Sequence, residues 1–202
     1  DRIPEFLRTH PLSEKRIADT RARAMQYPKQ IRSVSLDYQL MRARVAVQSA
    51  QTPEEAVAQF RSAAEGEPVS EEATAYGLVL ALTAAGRADE AALALDSIWS
   101  ASSDRIEYVI AAADIALAQG NPERAVAGLE RRLELSPGNH PLTMAYANAL
   151  HQAGSPHIAE AVLLEQSRRV NNDPGLWYLL AEVQGLAGNI VGLHQSRAEY
   201  FI

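Results

Sequence analysis

The chain has 202 residues, 47% hydrophobic and 22% charged, a composition that supports a buried core and excludes a disordered tail or a disulfide-stapled miniprotein. It contains no cysteine, which excludes disulfides, thiol nucleophiles and Cys-ligated metal sites. The net charge of -6 combines a basic segment, residues 1–50, with an acidic remainder that has no dense Lys/Arg stripe for nucleic acid. No apolar run reaches the ~20 residues that a transmembrane span requires.

The first thirty residues differ in character from the rest. The chain begins at Asp1, without a methionine or an apolar leader, so we expect it to be a piece of a longer protein. A proline-containing stretch predicts an extended strand or loop up to Ser13, which caps a basic helix that extends to about Met25. We interpret its basic residues as a solvated helix face, with contact to an acidic partner as the alternative.

A repeat of 34 residues organises the remaining chain. A small or polar residue followed by glycine ends a predicted helix at Gly86, and the same pattern returns at 34-residue intervals. Alanine and leucine keep the same spacing after three of these glycines. The repeated positions are Gly86, Gly120, Gly154 and Gly188, with Ala91, Ala125 and Ala159, and Leu95, Leu129 and Leu163.

Each glycine lies between two predicted antiparallel helices. Apolar residues three and four apart precede it, as one buried helix face requires. Asn121 and Ser155 occupy N-cap positions, each followed by proline at the first helical position. Thr52 begins a similar helix with a capping-box glutamate, Glu55, three residues later.

This 34-residue helix–turn–helix resembles the tetratricopeptide repeat. Trp177, Leu180 and Ala181 match its first helix, the three repeated alanines match its second, and Pro137 matches the closing proline. We predict an all-α, right-handed solenoid over 37–202, preceded by a separate helix. Its first unit is degenerate, with Ala56 in place but Gln51 at the glycine position. The predicted units are about 37–66, 72–103, 106–137, 140–171 and 174–202.

The last unit departs from the repeat pattern at Gln184, Leu193 and Arg197. It is either an atypical terminal repeat or a place where the chain stops early. We favour truncation, because the final predicted helix runs into Tyr200, Phe201 and Ile202 without a stop signal.

In this repeat family the first helices line a concave surface, so the resemblance implies a groove for an extended or helical peptide. On this surface we expect a row of apolar and aromatic side chains beside a row of acidic and amide side chains. The alternative for all of them is that they pack against neighbouring helices inside the array. A carboxylate clamp of the chaperone-binding type is not expected, because Met41 and Val45 stand where that clamp uses Lys and Asn. The candidate binding residues are Tyr76, Leu80, Ile110, Asp114, Met144, Asn148, His151, Tyr178 and Glu182.

No catalytic constellation is evident in the chain. The five histidines lack a His-x-x-x-His spacing, and neither an HExxH motif nor a Gly-x-Ser-x-Gly elbow occurs. Acidic pairs such as Glu71 and Glu72 fall at predicted helix starts, where the helix dipole explains them. We therefore expect a binding module with no cofactor of its own.

The segment Phe6-Leu7-Arg8-Thr9-His10-Pro11, followed by Arg16-Ile17, resembles the end of the HExxH zinc peptidase domain in the family that includes beta-barrel assembly-enhancing proteases. The resemblance covers residues 3 to 30, so 1–30 is interpreted as a peptidase-domain remnant. In that family tetratricopeptide repeats follow directly. The resemblance implies zinc in the longer parent protein, held before Asp1, with His10 as a possible inhibitory zinc ligand. Alternatively, His10 is a loop histidine rigidified by Pro11.

The resemblance also implies a setting and partners. We expect a periplasmic zinc metalloprotease and chaperone-like factor whose repeats recruit unfolded or assembling outer-membrane proteins, or the beta-barrel assembly machinery, and contact their own peptidase domain. The alternative is a non-enzymatic repeat scaffold that binds peptide segments.

Overall fold

The computed structural model describes residues 14–25, 34–66, 70–99 and 105–201. These residues form eleven helices and contain no strand. The chain divides into two compact units, Asp1–Ser35 and Leu36–Ile202. In chain order the helices are α1 (Glu14–Met25), α2 (Leu36–Ser49), α3 (Pro53–Glu65), α4 (Glu71–Ala84), α5 (Ala88–Trp99), α6 (Ile106–Ala118), α7 (Pro122–Leu135), α8 (His140–Gln152), α9 (Pro156–Ser167), α10 (Pro174–Leu186) and α11 (Ile190–Tyr200).

The first unit contains α1, a helix with an exposed surface. Ile17 is 36% exposed and Met25 83% exposed. The segment before Glu14, including His10 and the motif that carries the peptidase resemblance, lies outside the described residues.

The second unit is a solenoid of five helix pairs, α2–α3 to α10–α11. Successive first helices contact one another in the order α2, α4, α6, α8 and α10, so they form one continuous layer. The predicted all-α tetratricopeptide solenoid is therefore confirmed. Its repeated alanines are buried because each lies where two helices approach closely, with Ala91 at 0%, Ala125 at 1% and Ala159 at 0% exposure.

A repeated turn connects the two helices of the last four pairs. Gly86 has φ +71°, a left-handed conformation that L side chains adopt only with strain. The next residue, Arg87, donates its N–H to the Leu82 carbonyl at 2.9 Å, which satisfies a carbonyl at the end of α4. The turns at Gly120, Gly154 and Gly188 have the same sign of φ and the same backbone bond.

The helix starts differ in part from the sequence prediction. Asn121 and Ser155 do occupy N-cap positions, but neither side chain makes a capping hydrogen bond. Their backbone lies at ψ 64° and 55°, away from the extended backbone of the N-caps whose side chains bond to helix N–H groups at Thr52 and Ser70. At Thr52 the hydroxyl oxygen accepts from Glu55 N–H, and the Glu55 carboxylate accepts from Gln51 N–H.

The irregular last pair contains a buried polar bond. Gln184 and Ser196 are 2% and 3% exposed, and the Ser196 hydroxyl donates to Gln184 Oε1 at 2.7 Å. This bond joins α10 to α11 and explains why Gln184 is tolerated at a position where the preceding pair has Leu150.

Candidate functional site

A large cavity opens along the layer of first helices. Its volume is about 1210 Å³, above the ~300–1,000 Å³ of typical small-molecule sites, so it suits a larger occupant. Side chains from α2, α6, α8 and α10 line it, together with Arg132 of α7 and residues next to the helix starts. Its lining includes Met41, Arg44, Arg105, Ile110, Asp114, Met144, Asn148 and Leu179. We call this cavity the concave groove.

Four of the nine candidate binding residues line the concave groove: Ile110, Asp114, Met144 and Asn148. They occupy equivalent positions on α6 and α8, one apolar and one polar on each helix. Leu80 instead packs at the edge of the hydrophobic core formed by α2 to α6. His151, half-buried near the end of α8, does not line the groove.

Tyr76 is fully buried and its ring is inaccessible to a partner, which corrects its interpretation as an exposed groove residue. The Tyr108 ring, from the next first helix, lies 5.7 Å from it between centroids. From the preceding first helix, α2, Arg44 Nη2 donates to the Tyr76 hydroxyl oxygen at 2.8 Å. Burial raises the pKa of Tyr76, and Arg44 partly offsets that effect.

Charged side chains that the sequence analysis did not single out line the groove. Arg105 forms an ion pair with Asp37, and its Nε lies 3.9 Å from the Glu107 carboxylate. Arg44 is held at Tyr76. Arg44 and Arg105 follow no 34-residue pattern, so the repeat does not identify them.

Asp114 differs from the other acidic residues that line the groove. It makes neither a hydrogen bond nor an ion pair with any described residue. Burial raises the pKa of Asp114 to about 6, and the positive charge of Arg44 opposes that rise only in part. Asn148, at the equivalent position on α8, likewise has no hydrogen-bond partner for its amide in the described part of the chain. Both side chains are therefore available to a bound partner.

Tyr178 and Glu182 line a separate, smaller cavity of about 350 Å³ between α10 and α11. Tyr178 is 53% exposed, and its ring centroid lies 5.8 Å from that of Tyr200. Tyr200 in turn meets Phe201 edge-on at 5.0 Å. A hydrogen bond to Glu182 raises the pKa of Tyr178. The predicted aromatic row is thus divided between the core, at Tyr76, and this exposed aromatic cluster.

The histidines of the described segments do not assemble a metal site. Among those segments, no group of three or more His, Asp or Glu side chains is placed to hold a metal ion. His140 instead joins three helices: Gln166 Nε2 donates to its Nδ1 at 3.0 Å, and its Nε2–H donates to Asp173 at 2.7 Å. Within the same described residues, none of the helices has the length and hydropathy of a transmembrane span.

A family model and two sequence relatives show which proteins this chain is similar to. A tetratricopeptide-repeat family model matches residues 13–172. The chain is 31% identical over 199 residues to the beta-barrel assembly-enhancing protease of Escherichia coli K12, covering 98% of this chain and 41% of the relative. It is 29% identical over 190 residues to the protein of that name from Yersinia pestis, covering 92% and 38%.

A thermophilic tetratricopeptide-repeat protein of Thermus thermophilus is similar in structure, with a TM-score of 0.66 at 18% identity. The match covers 80% of this chain and 89% of that one, and at this identity it bears on the fold alone. The resemblance to beta-barrel assembly-enhancing proteases is confirmed, although the chain spans only about two fifths of those relatives' length. Repeat fold and groove together support a protein-binding role. The chain belongs to the tetratricopeptide-repeat family.

Proposed function

We propose that this chain is the protein-binding repeat region of a periplasmic zinc metalloprotease that acts in outer-membrane protein assembly and quality control. In this proposal the concave groove holds extended segments of unfolded or assembling outer-membrane proteins, or of the assembly machinery. The observation that carries it is the groove itself, in which apolar side chains lie beside the unpartnered side chains of Asp114 and Asn148. The similarity to beta-barrel assembly-enhancing proteases supports the setting.

The composition of the groove suits a polypeptide. Ile110, Met144 and Leu179 supply apolar surface for side chains, and burial of such surface drives most protein association. The Asn148 amide both donates and accepts hydrogen bonds, so it can pair with a peptide unit of an extended chain. Zinc and hydrolysis belong, in this proposal, to the longer protein and not to the residues described here.

The binding part of the proposal is tested with the chain as it stands. An unfolded outer-membrane β-barrel polypeptide, kept in low urea, is titrated against the chain, and binding is followed by fluorescence anisotropy. Met144→Glu places a charge in the groove and should weaken binding at least tenfold. Leu93→Glu is the matched control, because Leu93 is 72% exposed and lies outside the groove. Equal binding by both variants would show that the groove is not the binding site.

The enzymatic part requires the longer gene product. If the proposal is correct, that product carries an HExxH motif upstream of Asp1, binds zinc and degrades a denatured substrate, with higher activity after His10→Ala. The non-enzymatic scaffold is the competing function. A gene without the motif, or a product without zinc and without protease activity even after His10→Ala, would favour the scaffold.

A further inference from the structure

We propose that Asp114 gives the concave groove a preference for partner segments that carry a basic side chain, which its carboxylate receives between α6 and α8. This inference deepens the proposed function and rests on it. The groove is then not only an apolar surface for any extended chain, because one lysine-like cation at a fixed place favours binding.

The distribution of charge in the groove singles out Asp114. The other two acidic side chains that line the cavity, Asp37 and Glu107, both face Arg105. Arg44, the charged residue that acts on Asp114, stays beyond ion-pair distance and is bonded to Tyr76. Asp114 is therefore a partly desolvated carboxylate without a counterion in contact. Such a group is costly until a cation or hydrogen-bond donors reach it.

The surroundings of Asp114 fit a lysine side chain. On the α8 side, the Asn148 amide oxygen is a second acceptor for an ammonium group, which has three donors. Ile110 and Met144 line the same cavity and provide apolar surface for the aliphatic stem. A cation that enters from α8 also avoids Arg44, because Arg44 belongs to α2 and is held on α4 through Tyr76.

Ionisation of Asp114 links this preference to pH. Burial raises its pKa to about 6, so the carboxyl group is partly protonated in mildly acidic solution while the groove is empty. A bound cation favours the ionised form, so affinity for a basic segment rises with pH through this range. The charged or titratable groups of the surrounding elements are Asp37 and Arg44 on α2, Tyr76 on α4, Arg105 and Glu107 at the start of α6, and Arg132 on α7. The groove-lining residues of α8 and α10 are uncharged.

The experiment uses two labelled peptides that differ at one position. Both are extended nonapeptides of alternating valine, threonine and tyrosine, with either lysine or norleucine at the centre, and binding to the chain is measured by fluorescence anisotropy. At a pH of about 7.5 the lysine peptide should bind roughly tenfold more tightly, the scale of one partly desolvated ion pair. Asp114→Asn should remove that difference, whereas Asp96→Asn, which removes a carboxylate outside the groove, should preserve it.

A second measurement needs no variant. Lowering the pH from about 7.5 to about 5 protonates roughly nine tenths of a carboxyl group with a pKa of about 6. Because a tenfold preference lowers the pKa of the bound carboxyl group by about one unit, the lysine peptide should lose about fivefold in affinity and the norleucine peptide should not. Equal binding of the two peptides at both pH values would overturn the preference and leave the proposed function standing. If neither peptide binds, and the unfolded β-barrel polypeptide does not bind either, the proposed function itself is wrong.

Discussion

The guanidinium group of Arg44 donates a hydrogen bond to the hydroxyl oxygen of Tyr76 across 2.8 Å and thereby joins α2 to α4. The tyrosine ring is fully buried, whereas the arginine lines the concave groove. This hydrogen bond therefore connects the buried core of the solenoid to the lining of the concave groove. It also explains why Tyr76, which we expected in the groove, belongs to the core.

Removing the Tyr76 hydroxyl tests this contact. Tyr76→Phe should lower the free energy of unfolding by about 1–2 kcal/mol, because it deprives a partly buried cation of its acceptor. Urea denaturation monitored by circular dichroism measures the change. Tyr178→Phe is the control, since that hydroxyl lies on an exposed ring, and it should change stability by less than about 0.5 kcal/mol.

Tyr76 and Tyr178 occupy equivalent repeat positions, and replacing each with alanine shows which of them lies in the core. Tyr76→Ala should cost about 3–5 kcal/mol, as for other large buried side chains, because Tyr76 is 0% exposed. Tyr178→Ala, at 53% exposure, should leave the melting temperature nearly unchanged. A large stability loss at Tyr178 would assign it to the core.

Two glycines within helices should respond oppositely to alanine. At Gly77 an added Cβ would lie 2.1 Å from the Phe60 ring, so Gly77→Ala should destabilise the solenoid by about 1–3 kcal/mol through overpacking. At Gly128 no neighbouring atom lies within 4 Å of the added Cβ. Gly128→Ala should therefore stabilise α7 by about 0.5–1 kcal/mol. Thermal unfolding of both variants checks the pair, and equal effects would contradict the packing at Phe60.

The contact between Asp173 and His140 should make stability depend on acidity. Burial alone would raise the pKa of Asp173, but the hydrogen bonds from His140 and Gly175 outweigh it and hold the pKa below its usual value. A depressed folded-state pKa stabilises the protein above the unfolded value, near 4, and this contribution disappears as the pH falls through the folded value. The stability difference between the unmodified chain and Asp173→Asn should therefore shrink as the pH falls from about 5 to about 3 in urea titrations.

The 34-residue repeat of the sequence was sufficient to predict the layer of first helices. It did not predict which side chains on that layer are buried and which are exposed. Glycine, alanine and leucine at 34-residue spacing indicate turns and close helix contacts, because those features depend on local residue type and repeat in every unit. The burial of Tyr76 depends on Arg44 and Tyr108, two residues that follow no repeat pattern. Likewise, Asp37 and Arg105 pair across 68 positions of sequence, a relation that no single unit contains.

The turn glycines affect how easily the repeat array can gain or lose a unit. At Gly86, Gly120, Gly154 and Gly188 the φ values lie between 71° and 76°, and an added Cβ would meet no atom within 4 Å. Each hairpin turn is therefore closed by its own backbone, without help from a neighbouring unit. In-frame duplication or deletion of one 34-residue block would leave every remaining turn intact, so the array can gain or lose a unit in one genetic step while the groove lengthens or shortens by one helix.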